Sequence, residues 1–126
     1  MNALLLVAIG GAFGSSLRYL VITGAARLFG TALPWGTFAV NVAGSFVMGL
    51  LVEFMFRKTG AGEAARLLLG VGFLGGFTTF SAFSIDAVSL LERGAFVTAI
   101  LYIAGSVAVS LLALAGGLAL ARQIAV

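Results

Sequence analysis

The chain has 126 residues, 62% hydrophobic and 9% charged, with a mean hydropathy of +1.22. A soluble domain of this length has no interior for so much apolar surface, which leaves a polytopic, all-α membrane protein. It has no cysteine or histidine, so disulfides, thiolate metal sites and the commonest proton shuttle are excluded, and its net charge of +3 comes from scattered residues rather than a nucleic-acid patch.

Charged residues divide the chain into four apolar runs, at residues 3–25, 34–56, 66–91 and 95–121. Each approaches or exceeds the ~20 residues that cross about 30 Å of hydrocarbon, so a single four-helix transmembrane domain is predicted. The first run lacks a basic leading region and a small-residue cleavage site, so a retained helix is expected rather than a signal peptide. It carries Gly10, Gly11 and Gly14, a pattern that lets helix backbones approach closely. Arg18 lies well inside it. A charge there either snorkels to the interface or forms a positive vestibule that draws anions towards a pore.

The second run begins at Pro34, which suits a first helical turn. Thr37, Asn41 and Ser45 recur every four residues and make a polar stripe on one face. Asn41 either bonds across helices or donates to a passing anion, since its amide offers two donors and one acceptor.

The third run is a poor membrane helix. Gly72, Gly75 and Gly76 lower helix propensity and are followed by Thr78 and Thr79. Irregular backbone survives at membrane depth only where protein buries it or a polar cavity borders it, so a helix interrupted near Gly75–Thr79 is expected to hold an ion. Phe77, Phe80 and Phe83 alternate there with Thr78, Thr79, Ser81 and Ser84. Ring edges carry partial positive charge and can meet an anion without trapping it. The alternative is that the rings are packing residues.

In the fourth run Tyr102, Ser106 and Ser110 place one hydroxyl per turn on one face. Either the serines back-bond to the carbonyl four residues earlier or the three form a polar track. Four spans put both termini on one side, with Arg57, Lys58, Arg66 and Arg122; Arg27 and Arg93 lie on the other, with Arg18 nearby. That bias sets orientation only weakly. The four acids, Glu53, Glu63, Asp86 and Glu92, all stand near span ends, and no base is placed to activate a serine, so an enzyme is not expected. Four helices enclose little space, and an oligomer is expected.

The segments GGAFGSSLRY (residues 10–19), PWGTFAVNVAGSF (34–46) and GFLGGFTTFSAFSID (72–86), with the Tyr102, Ser106, Ser110 ladder, resemble the Fluc-type (CrcB) fluoride channel family over essentially the whole chain. The resemblance implies an antiparallel homodimer of dual-topology subunits in the plasma or inner membrane, with two fluoride pathways exporting fluoride from the cytoplasm. It assigns Phe80, Phe83, Asn41 and Thr79 to the pathway, Tyr102, Ser106 and Ser110 to a polar track, and Arg18 to a vestibule. It also implies a structural sodium ion held between subunits by the Gly75 and Thr78 carbonyls. Ala82 stands where the family often has threonine, and Asp86 where glutamate is common. Rival readings are a small proton-coupled multidrug exporter, which needs an acid in the first span where this chain has Arg18, and a membrane assembly protein without transport.

Overall fold

A computed structural model describes residues 2–60 and 62–124. Four helices are long and apolar enough to cross a membrane: α1 (Ala3–Phe29), α2 (Trp35–Lys58), α3 (Glu63–Glu92) and α4 (Phe96–Ile124). No strand occurs among the described residues. At 24 to 30 residues, the helices outrun the hydrocarbon layer, since each residue adds about 1.5 Å. This is why α1 continues through Arg27 to Phe29 instead of stopping at the first charge. The chain is a multi-pass membrane protein.

Local chemistry sets the ends. Asn2 caps α1 by accepting the Leu4 N–H at 2.7 Å. Gly30 and Gly94, both at φ 79°, turn the chain out of α1 and α3 through the left-handed region that favours glycine. Pro34 is not inside the first turn of α2 but caps it, its carbonyl accepting from Phe38 N at 3.2 Å.

Two stretches depart from α-helical geometry. From Leu51 to Lys58 the backbone of α2 widens to π-helical turns, as in the five-residue bond from Thr59 N to Phe54 O at 3.1 Å. Arg66–Leu74 in α3 does the same. Residue propensities carry no signal for this geometry.

Glycine contacts hold the bundle together. Gly10 and Gly14 of α1 face the backbone of α3, and a Cβ on Gly72 would lie 3.0 Å from Gly10 Cα. Gly49 of α2 meets Gly117 of α4, where a Cβ would lie 3.1 Å from the opposing Cα. Such contacts replace the hydrophobic drive that lipid does not supply. Apolar side chains such as Leu4, Leu28 and Leu112 point outward and are more than two-thirds exposed, as suits a surface in contact with lipid. At the end of the bundle shared by the termini, Glu53 is buried; its Oε2 accepts from Arg57 Nη1 at 3.1 Å and forms an ion pair with Arg122 Nε at 3.2 Å.

Candidate functional site

The third helix is broken where its glycines and threonines predict. Gly75–Phe77 forms a last helical turn, Thr78 (φ −84°, ψ 157°) and Thr79 (φ −153°, ψ 119°) are extended, and Phe80–Glu92 resumes the helix. Extended backbone inside a membrane must have its polar groups satisfied, and three side chains do this. Thr79 Oγ1 caps the second half of α3, accepting from Ala82 N at 3.0 Å. Asn41 holds the Thr79 backbone from both sides: its Nδ2 donates to Thr79 O at 3.0 Å and its Oδ1 accepts from Thr79 N at 2.7 Å. Arg18 Nε donates to Gly76 O at 2.9 Å. Gly44 of α2 leaves room for the break, since a Cβ there would strike the Thr78 side chain.

One donor of the Asn41 amide is left over after this pairing. The Thr79 N–H that a continuous helix would offer to the Gly75 carbonyl goes to Asn41 instead. The Thr78 carbonyl accepts no hydrogen bond among the described residues. Gly75 is exposed and Thr78 half-buried, so this stretch of backbone is not fully covered by its own subunit.

Beside the break lies a groove of about 330 Å³, lined by Asn41, Ser45, Thr79, Phe83, Ser106 and Ser110 among others. No charged residue lines it. Phe80 stands on its open side, 78% exposed. The Phe80 and Phe83 rings are 5.5 Å apart and tilted by 48°, and the Tyr102 ring follows 5.3 Å beyond Phe83.

Several hydroxyls bond to their own helix, and one is left without a partner. Ser16, Thr23, Thr59, Thr78 and Ser84 each donate to the carbonyl four residues earlier. Thr78 lines the groove even so, whereas Ser84 does not. Ser106 Oγ is buried and has no hydrogen-bond partner among the described residues. It does not back-bond; Ser106 is among the residues lining the groove, with its Oγ buried in the wall. A buried polar atom without a partner is uncommon in a folded protein and calls for an explanation, an unseen ion or water among them.

The structure therefore brings Asn41, Thr79, Phe80, Phe83, Ser106 and Ser110 together and sets two of the expected residues apart. Tyr102 does not line the groove; it lies behind Phe83 and donates its hydroxyl to Asp86 Oδ2 at 3.2 Å. Arg18 is bound to the Gly76 carbonyl, neither snorkelling freely nor lining the groove. Sequence reasoning missed the Tyr102–Asp86 bond and the burial of Glu53, which depend on which helices meet. The cap at Thr79 did have a signal, a threonine directly before the resumed apolar helix.

The family profile described as "CrcB-like protein, Camphor Resistance (CrcB)" matches residues 5–118. Among curated proteins, the chain is 59% identical over 124 residues to the "Fluoride-specific ion channel FluC" of Chelativorans sp. (strain BNC1), covering 98% of this chain and 99% of that protein. It is 58% identical over 120 residues to the protein of the same name from Rhizobium etli (strain ATCC 51251), covering 95% and 96%. It is 52% identical over 125 residues to the one from Phenylobacterium zucineum (strain HLK1), covering 98% of each. With a match this long and relatives this similar over their whole length, the chain belongs to the CrcB family.

Proposed function

We propose that the chain is a fluoride-selective channel of the plasma or inner membrane, through which fluoride leaves the cytoplasm passively. The observation that carries this reading is the uncharged groove beside the broken backbone of α3, with the buried Ser106 hydroxyl left without a partner at its wall. Around it stand the remaining donor of Asn41, the Ser110 hydroxyl and the edges of Phe80 and Phe83. Fluoride is small and strongly hydrated, and closely placed neutral donors replace its water without a fixed charge that would hold it. Thr79 positions the lining through its cap, Tyr102 continues the polar track behind Phe83, and Arg18 adds positive charge beside the break. The names of the relatives support fluoride as the ion.

The groove is open on the side of Phe80, so one chain does not close a pathway. An antiparallel second copy supplies the missing wall and, by symmetry, a second pore; the weak asymmetry of basic residues suits insertion in both orientations. The Gly75 and Thr78 carbonyls fit a structural sodium ion: they are hard oxygen donors on broken backbone, and the Thr78 carbonyl lacks any partner among the described residues. When bound, sodium would place a fixed positive charge between the subunits.

The test is ion efflux from proteoliposomes followed with a fluoride electrode, with chloride in parallel. Fast fluoride release without chloride release, abolished in Phe80→Ile, is the expected result. No release from correctly folded protein would overturn the reading, and release of both ions would remove the selectivity.

A further inference from the structure

We propose that the polar pocket between the α1–α2 connection and the last turns of α3 is one mouth of the pathway, and that Arg93 is the residue that draws anions into it; this rests on the channel reading above. The pocket has a volume of about 350 Å³ and is lined by Ala32, Trp35, Thr37, Asp86, Ser89 and Arg93 among others. It shares no lining residue with the central groove, but the two lie one helical turn apart on α3. Phe83 lines the groove and Asp86, one turn further along α3, lines the pocket. Tyr102 touches both, with its ring 5.3 Å from Phe83 and its hydroxyl 3.2 Å from Asp86 Oδ2.

An anion passing Phe83 towards this pocket would next meet the carboxylate of Asp86, which repels it. Two groups oppose that repulsion. The Tyr102 hydroxyl donates to the carboxylate, and Arg93 carries the opposite charge in the same pocket. Arg93 lies seven residues after Asp86, two turns along the same helical face. Its guanidinium is held by donation from Nη2 to Ala32 O at 3.0 Å, which also fixes the α1–α2 connection. The other charged residues of this end, Arg27 and Glu92, do not line the pocket, although Arg93 is exposed as they are. Asp86 and Arg93 therefore set the field at the mouth, and a cation there raises the local concentration of an arriving anion.

The experiment measures fluoride flux at fixed fluoride in about 10 mM and about 1 M of an impermeant salt, where the screening length falls from about 30 Å to about 3 Å. Arg93→Gln keeps a donor for Ala32 O and loses the charge; Arg93→Lys keeps the charge. At low salt Arg93→Gln is expected to lower flux about tenfold, Arg93→Lys to restore most of it, and the difference to vanish at high salt. Unchanged low-salt flux in Arg93→Gln would overturn the inference, as would an equal loss at both salt concentrations, which marks a structural role. Wild-type flux is itself expected to fall with added salt, so a flat dependence overturns the inference even if Arg93→Gln does not fold. Absence of any wild-type flux would remove the channel reading and the mouth with it, an outcome distinct from all of these.

Discussion

Two regions of this small bundle bury polar groups, and they do so in opposite ways. At the end shared by the termini, the Glu53 carboxylate is held by Arg57 and Arg122. The cluster is charged and closed, and it joins α2 to α4. At mid-membrane, the break of α3 is held by the neutral amide of Asn41 and by one cation, Arg18, which donates to the Gly76 carbonyl, and the groove beside it has no charged lining residue. There the satisfaction is incomplete: Ser106 has no partner, and Asn41 has a donor to spare. A polar cluster that is saturated holds helices together, whereas one with unused donors is prepared for something that passes.

The largest effect should come from breaking the neutral region with charge. Asn41→Asp removes the donor to Thr79 O and places a negative charge on the groove. Fluoride flux should fall more than about 100-fold, because a like charge on the lining of a narrow path repels the ion, and efflux measured beside thermal unfolding checks this. Flux close to wild type would mean that the groove is not the route.

The charged region should respond asymmetrically. The double change Arg57→Ala with Arg122→Ala leaves Glu53 buried without a counter-charge, and should cost about 3 kcal/mol in detergent unfolding. Glu53→Gln leaves two arginines that are 60% and 55% exposed at the side chain and can hydrate, so its cost should be about 1 kcal/mol. Fluoride flux per folded protein should not change in Glu53→Gln. Equal costs for the two variants would contradict the view that burial of the carboxylate, rather than the pairing itself, sets the penalty.

The sequence made some of this legible for physical reasons. Long apolar runs announce membrane helices, and glycines followed by threonines announced the break between Phe77 and Phe80. Asn41 stood out because an amide in hydrocarbon must find a partner, although its partner, the backbone of Thr79, lies 38 residues away and is not encoded locally. Arg18 was conspicuous for the same reason, but its attachment to Gly76 O follows from the glycine contacts that press α1 against α3. Tyr102 read as one rung of a ladder because spacing gives the face of a helix and not what that face meets. The π-helical turns at Leu51–Lys58 and Arg66–Leu74 left no trace in composition, since residues that favour α-helix also tolerate π-helix.

The most direct test of the contrast is Ser106→Ala, with fluoride flux and thermal stability measured on the same preparation. Removing a hydroxyl that satisfies nothing should leave stability unchanged or raise it by up to about 1 kcal/mol, while flux falls about tenfold, equivalent to about 1.4 kcal/mol on the barrier. Lower stability with undiminished flux would contradict the account, because Ser106 would then be holding the bundle together and not waiting for an ion.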